Sequence, residues 1–553
     1  MPRNWTPEQT AAMSVTGKTL LVSAAAGSGK TATLTERIIR RVTEGADITR
    51  MLIVTFTRSA AAELLARISD SLSESIAEHQ ENGHLTKQLV AHGSDDIQTI
   101  DSFCMGPVRE HFERLGLPAS FRIADEAEML PLKRQILEDT VTEFYGRYGN
   151  GEESNRFSAF ADDLMTAGAT GFPYDLLIDF YDTIRNQPEG IRLLSGYADT
   201  YTHDAEMDFF STEAGKLFSE CVREEIGCYL GKLSRAKELL GDNDAYVAGF
   251  FPLLSSEEEY LRAILQGLDE GYASAYLAAN TAPPAGRLSV KKDAKTEVGI
   301  RVHEEHKIYR KAITGLGKKY FYTPPEDIPE QFRATAGFCT MLYELLSEYD
   351  LRLGAEKRTR GIADFTDITR NMLALLTADG THPSDLAASL AGNYDEVYID
   401  EYQDVNEMQD LIFSFIGGDH RFMVGDIKQC IYAFRGSDPS LFAEYRRRFP
   451  AYGTAGAEEA AANSIFMSDN FRCDKNIIEF SNIVCRPLFS VCRKSVGYRP
   501  EDDLKKSKPD PSEEYVSPRV TVAYFCGAGT SDGEDGNGGS DPEPGDFSDV
   551  PDM

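Results

Sequence analysis

Residues 20–31 carry the side chains that most directly specify a chemistry, because a short apolar run leads into Ala-Ala-Ala-Gly-Ser-Gly-Lys-Thr. Loops of this kind direct backbone N–H groups at phosphates at the start of a helix. The lysine ammonium can neutralise β- and γ-phosphate charge, and the threonine hydroxyl can ligate Mg²⁺. The sequence therefore predicts a site for ATP and Mg²⁺. Its residues are Ala24, Ala25, Ala26, Gly27, Ser28, Gly29, Lys30 and Thr31, with Thr31 also a metal ligand.

A second motif places two carboxylates directly after an apolar run. Val397-Tyr398-Ile399 reads as a buried strand and is followed by Asp400 and Glu401. We expect Asp400 to hold Mg²⁺, directly or through water, and Glu401 to orient and deprotonate the water that attacks the γ-phosphate.

The elements that must position these residues alternate between strand-like runs and helical patterns. This alternation predicts an α/β fold with a mostly parallel sheet and with ligands at the carboxyl ends of its strands. Helical periodicity dominates from Gly106 to about Asp350, which indicates a large, mostly helical insertion in the core. The further strand-like runs are 51–55, 97–100, 397–399, 422–425 and 465–467.

Length and composition are typical of a large water-soluble enzyme. The 553 residues can form two to four domains, and the sequence has neither an apolar stretch of membrane-spanning length nor an N-terminal basic and apolar leader. We therefore expect a cytoplasmic protein without a membrane partner. The formal charge of −32 does not exclude a nucleic-acid partner, since a binding groove requires only local basic and aromatic groups.

Three segments resemble the motor motifs of the UvrD/Rep/RecB helicases in sequence, order and spacing. They are Asp-Glu-Tyr-Gln-Asp at 400–404, Val-Gly-Asp-Ile-Lys-Gln at 424–429 within the longer segment 424–436, and Asn-Phe-Arg at 470–472. Residues 5–9 resemble the adenine-reading segment of that group, and residues 54–64 resemble its first DNA-contact motif. The resemblance implies a RecA-like P-loop NTPase core and an ATP-dependent DNA helicase that moves 3′ to 5′.

Within this group, further segments resemble the AddA component of AddAB helicase–nucleases. They are 97–104, 121–125 and 361–367, together with the tyrosine of the Asp-Glu-Tyr-Gln-Asp motif. The resemblance implies single-stranded and duplex-end DNA as substrates, a role in the recombination repair of double-strand breaks, and an AddB-like partner protein.

The resemblance also implies roles for individual nucleotide-site residues. Gln9 would read the adenine edge, and Phe471 would stack on the base. Gln429 would contact the γ-phosphate, and Arg472 would stabilise charge on the transferring phosphoryl group as an arginine finger.

The expected DNA contacts are Phe56, Thr57, Tyr432, Phe434 and Arg435, which offer aromatic faces and phosphate donors without base-edge readout. Core packing is the competing interpretation for Phe56 and Phe434. The basic run 446–448 is predicted to be a solvated helix end.

The sequence predicts five regions: residues 1–105 and 351–468 as the two parts of the ATPase core, 106–350 as the insertion, 469–526 as the start of a second motor domain, and 527–553 as a disordered tail. The tail holds eight acidic residues and no basic one. Because the later helicase motifs and a nuclease domain are not found, we expect the chain to be a fragment, a truncated gene product or one piece of a split protein. The alternative to a helicase motor is a nucleotide- and DNA-binding module of an AddAB-like complex that does not translocate.

Overall fold

The computed structural model describes most of the chain. Predictions for Phe434, Arg435 and the acidic tail at 527–553 lie outside the described residues. The described residues are 4–78, 83–91, 97–147, 152–165, 171–241, 244–281, 296–378, 382–432, 436–491, 498–507 and 519–521.

A six-stranded parallel sheet forms the centre of the described fold, in the order β3-β2-β6-β7-β1-β8. This confirms the predicted α/β fold class, and each predicted strand run lies in one of these strands except for Ile100, which begins a helix. The strands are β1 (Thr19–Ala24), β2 (Met51–Thr55), β3 (Ile97–Thr99), β6 (Glu396–Ile399), β7 (Arg421–Gly425) and β8 (Ala462–Met467).

Both faces of the sheet are covered, which explains why its strands are almost uniformly apolar. Successive residues of one strand enter different hydrophobic clusters: Leu21 packs on one face, and Leu20 and Val22 pack on the other. One face is covered by α1 (Pro7–Ser14), α2 (Lys30–Thr43), α3 (Arg58–Glu78) and α4 (Gly83–Ala91). The other is covered by α5 (Ile100–Glu110), α17 (Phe365–Leu376), α18 (Asp385–Ala391), α19 (Glu407–Gly417) and α20 (Pro439–Arg448).

The helical region that interrupts this core begins and ends at one place. Strands β4 (Arg122–Ile123) and β5 (Ile362–Ala363) pair in parallel where the chain leaves and re-enters the core. The helices between them form two hydrophobic clusters. The first cluster contains α6 (Glu126–Arg147), α7 (Glu152–Met165), α8 (Tyr174–Arg185), α9 (Arg192–Asp204) and α16 (Ile328–Arg360). The second contains α10 (Glu213–Leu240), α11 (Asp244–Gly249), α12 (Phe251–Glu270), α13 (Tyr272–Asn280), α14 (Glu297–Thr314) and α15 (Leu316–Tyr320).

A buried ion cluster joins this helical region to the core. Arg185 of α8 donates to Asp367 of α17 at 2.6 Å, and the Lys357 ammonium of α16 contacts both Asp367 and Asp364. Burial alone would raise the pKa of Asp367, but the charges of Arg185 and Lys357 outweigh it and hold that pKa below its usual range.

Replacing Asp367 with alanine is expected to lower the free energy of unfolding by about 3 kcal/mol, because it removes the nearest carboxylate partner of the buried Arg185 and one of the two carboxylate partners of the buried Lys357. Asp175→Ala, which breaks an exposed pair with Arg134, should cost less than about 1 kcal/mol. The contribution of Asp367 should be complete above about pH 4, its pKa in the unfolded chain, and should be lost as the pH falls further. Urea unfolding at pH 7 and pH 3 measures the cost of each substitution and its dependence on pH. Equal losses of unfolding free energy in Asp367→Ala and Asp175→Ala would contradict the expectation.

Beyond the sheet, the described residues include a further α-helix and a small parallel strand pair. Strand β9 (Asp469–Asn470) pairs with β10 (Lys505–Lys506), and α21 (Lys475–Val491) lies between them in sequence. The prediction that residues 446–448 are a solvated helix end is wrong for Arg446. This side chain is buried, lies over the Phe466 ring and pairs with Asp502 at 3.0 Å.

Candidate functional site

The glycine-rich loop between β1 and α2 contains two residues with backbone angles that favour glycine. Gly27 has a φ of 72°, and Gly29 has a φ of 85° and immediately precedes α2. A Cβ atom on Gly27 would lie 2.8 Å from Nδ2 of Asn470, so glycine also allows close approach of that segment. Lys30 and Thr31 form the first turn of α2, where backbone N–H groups are available to an anion. Among the described residues, the buried Ser28 hydroxyl has no hydrogen-bond partner.

Gln9 lies directly against this loop. Thr6 caps helix α1, and the Gln9 side chain returns to the Thr6 backbone to complete a capping box. The Gln9 amide also donates to the Ser28 carbonyl at 2.9 Å. Since an amide nitrogen carries two hydrogens, one remains for a base edge. The structure thus places Gln9 beside the loop, and its adenine-reading role stays a prediction.

The two carboxylates after β6 face the loop across the edge of the sheet. The Lys30 ammonium contacts Oε2 of Glu401 at 2.7 Å, although the two residues lie far apart in sequence. Glu401 is the one described residue other than glycine with a positive φ, at 51°. Such a conformation costs on the order of 1–3 kcal/mol and persists only where its surroundings enforce it.

The electrostatics of this edge favour a cation. Burial and then the Glu401 charge raise the pKa of Asp400 to about 6, against the opposing pull of Lys30. Burial and the Glu401 charge likewise raise the pKa of Asp404 to about 6. The described residues contain no cluster of three or more His, Cys, Asp or Glu groups able to hold a metal ion by themselves. Mg²⁺ commonly combines one or two carboxylates with substrate phosphates, and Asp400 with the Thr31 hydroxyl fits that donor set.

Two further segments follow the neighbouring strands β7 and β8. After β7, the Gln429 amide donates to Oδ2 of Asp426 at 2.8 Å. After β8, Asn470 donates to the Ala26 carbonyl at 2.7 Å, and the Phe471 backbone N–H donates to the Gly27 carbonyl at 3.0 Å. The side chains of Phe471 and Arg472 are exposed. Asn470, which sequence reasoning gave no role, therefore docks this segment onto the loop.

The expected DNA contacts that the structure describes lie after β2 and β7. The rings of Phe56 and Tyr432 pack with centroids 4.5 Å apart, and both side chains are half-buried. Phe56 belongs to neither hydrophobic cluster of the sheet, which disfavours the core interpretation. Thr57 is exposed, and its hydroxyl accepts from the Ala60 N–H at the start of α3.

These features define a P-loop nucleotide-binding protein. A glycine-rich loop follows β1 and precedes a helix, and Lys30 of that helix pairs with Glu401, which follows β6 on the far side of β7. The carboxyl ends of the parallel strands bring these groups to a single edge of the sheet.

Comparison with known proteins identifies the family. Residues 5–450 match the UvrD/REP helicase N-terminal domain, and the chain belongs to this family. This result confirms the resemblance found in the motifs.

The chain is similar to AddA proteins, which are components of ATP-dependent helicase/nucleases. The relative from Pelotomaculum thermopropionicum is 31% identical over 90% of this chain and 40% of its own length. The relative from Geobacillus kaustophilus is 31% identical over 96% of this chain and 43% of its own length. The chain therefore spans about two fifths of the length of these curated relatives. No helix in the described parts of the chain is long and apolar enough to cross a membrane.

Proposed function

We propose that this chain is the part of a DNA helicase motor that binds and hydrolyses ATP and contacts single-stranded DNA. The observation that carries the proposal is the 2.7 Å contact between Lys30 and Glu401, beside a loop against which Asn470 is docked. The proposal includes 3′-to-5′ translocation, a role in double-strand-break repair, an AddB-like partner and a cytoplasmic location, which are supported by similarity to the AddA proteins of helicase/nucleases.

In the proposed reaction, the loop N–H groups and the Lys30 ammonium hold the β- and γ-phosphates. Asp400 and Thr31 would hold Mg²⁺, which when bound polarises phosphate oxygens. Glu401 accepts a proton from the attacking water, and Arg472 and Gln429 contact the transferring phosphoryl group.

The experiment that tests this function is steady-state ATP hydrolysis by the 553-residue chain, with and without a single-stranded oligonucleotide. We expect Mg²⁺-dependent hydrolysis that the oligonucleotide stimulates, because Tyr432 follows β7, the strand that also precedes Gln429, and Phe56 follows β2, which neighbours the carboxylate strand β6. A hydrolysis rate that is identical with and without DNA would contradict the motor proposal and leave an ATPase that does not respond to DNA. Displacement of streptavidin from each end of a biotinylated strand measures the direction of translocation.

The aromatic pair gives a separate prediction for DNA binding. Replacing Phe56 and Tyr432 together with alanine is expected to weaken single-strand binding by about 1–3 kcal/mol for each lost base stack, with little sequence preference in either protein. Fluorescence anisotropy with labelled mixed-sequence oligonucleotides measures the change.

The matched control is Tyr322→Ala, which removes an exposed aromatic side chain from the helical insertion. This variant should bind DNA as the wild type does. If the double variant folds and also retains wild-type affinity, the Phe56 and Tyr432 rings are packing residues and not a stacking surface.

A further inference from the structure

The buried amide of Gln403 lies at the meeting point of three segments of the candidate site. Gln403 belongs to a 3₁₀ turn, Tyr402–Asp404, that follows the carboxylate pair. Its Nε2 donates to Oε2 of Glu401 at 2.9 Å and to Oδ2 of Asp404 at 3.1 Å. Its Oε1 accepts from the Asp426 backbone N–H at 2.9 Å. Both amide hydrogens and the carbonyl oxygen are therefore engaged.

The end of β7 is shaped around this amide. A Cβ atom on Gly425 would lie 2.4 Å from Oε1 of Gln403 and 3.1 Å from its backbone nitrogen, so only glycine allows this approach. The next residue, Asp426, donates its backbone N–H to Gln403 and accepts from the Gln429 amide on its carboxylate. Gln403 thus connects the acid after β6 to the segment that carries Gln429.

A second connection runs from the same turn toward the aromatic pair. The backbone carbonyl of Asp404 accepts from the Ser437 hydroxyl at 2.6 Å. The Ser437 N–H in turn donates to the carbonyl of Tyr432, whose ring packs on Phe56. The 400–404 motif is therefore hydrogen-bonded to both ends of the segment that follows β7.

Lys30 and Gln403 both donate to the same oxygen of Glu401. In the proposed reaction, the Lys30 ammonium turns to the phosphates, and Gln403 is then the donor that keeps the Glu401 carboxylate in place. The positive φ of Glu401 makes such support necessary, because that backbone conformation is strained.

We propose that Gln403 is a positioning residue that holds Glu401 where it can deprotonate the water that attacks ATP. Through Asp426 on one side, and Asp404 with Ser437 on the other, Gln403 also links Glu401 to the surface that contacts DNA. The inference rests on the proposed function. It assigns no contact between Gln403 and substrate. It requires that loss of the Gln403 amide slow the hydrolytic step and reduce the stimulation of that step by DNA, while the affinity for ATP is retained.

The test compares Gln403→Met with Gln409→Met. Both substitutions remove a buried amide of similar size, but the Gln409 amide only completes the capping box of α19. For Gln403→Met we expect kcat for DNA-stimulated hydrolysis to fall about 10- to 100-fold, the range typical when an outer supporting hydrogen bond is removed. The KM for ATP and the Kd for a non-hydrolysable analogue should change less than about threefold, and stimulation by DNA should fall toward one. Gln409→Met should keep the wild-type kcat and stimulation.

Wild-type kcat and stimulation in Gln403→Met would overturn the inference, as would an equal loss in Gln409→Met or a loss of ATP affinity. If Gln403→Met does not fold, Ser437→Ala provides the test, because it removes only the hydrogen bond to the Asp404 carbonyl. Unchanged stimulation of hydrolysis by DNA in this variant would overturn the inference. A wild-type protein without DNA-stimulated hydrolysis would instead refute the proposed function, so the two failures are distinguishable.

Discussion

Replacing Lys30 with alanine is expected to abolish measurable binding of Mg·ATP. The ammonium lies in the first turn of α2, against the loop, where it can neutralise phosphate charge that the loop N–H groups alone do not balance. Removing one partner of a desolvated charged pair costs about 2–5 kcal/mol, and each 1.4 kcal/mol is a factor of ten in Kd. Calorimetric titration with a non-hydrolysable ATP analogue and Mg²⁺ measures the loss.

The same substitution leaves Glu401 without its cation, so folding must be measured separately. Lys307→Ala, on an exposed ion pair of the helical insertion, is the matched control and should bind the analogue as the wild type does. Circular dichroism and thermal unfolding show whether Lys30→Ala is folded. If Lys30→Ala folds and binds the analogue with wild-type affinity, neither Lys30 nor the loop belongs to the nucleotide site.

The sequence was sufficient to predict the fold class and the edge of the sheet at which the candidate site lies. Apolar runs such as 51–55 and 422–425 are buried on both faces, and in a parallel sheet the residues after such strands meet at one edge. This is why Lys30 and Glu401 could be assigned to one site before any distance between them was known.

The supporting contacts could not be predicted because they join residues distant in sequence and have no periodicity of their own. Arg185 and Asp367 are 182 positions apart, and each reads locally as a surface charge of a helix. Arg446 has the same appearance within an arginine run, and only its pairing with Asp502 reveals its burial. Gln403 stood within a recognised motif, but its three bonds depend on the approach that Gly425 allows.

Glu401 differs from Lys30 in the stage at which it acts, and the structure indicates how to separate the two. Its carboxylate accepts from both Lys30 and Gln403, and a glutamine at this position keeps the length and an acceptor oxygen. Removing its charge also removes the second-largest cause of the raised pKa of Asp400, after burial. The Lys30 ammonium would then lack its carboxylate partner and remain available to phosphate.

Glu401→Gln is therefore expected to bind Mg·ATP at least as tightly as the wild type and to lose hydrolysis by about 10²–10⁴-fold, the usual contribution of a positioned general base. Single-turnover hydrolysis of radiolabelled ATP, together with calorimetry, separates the two properties. Glu407→Gln, at the start of α19, is the matched control and should leave both unchanged. A Glu401→Gln protein that hydrolyses ATP at the wild-type rate would exclude Glu401 as the base, whereas one that no longer binds ATP would assign Glu401 to holding the site together and not to the proton transfer.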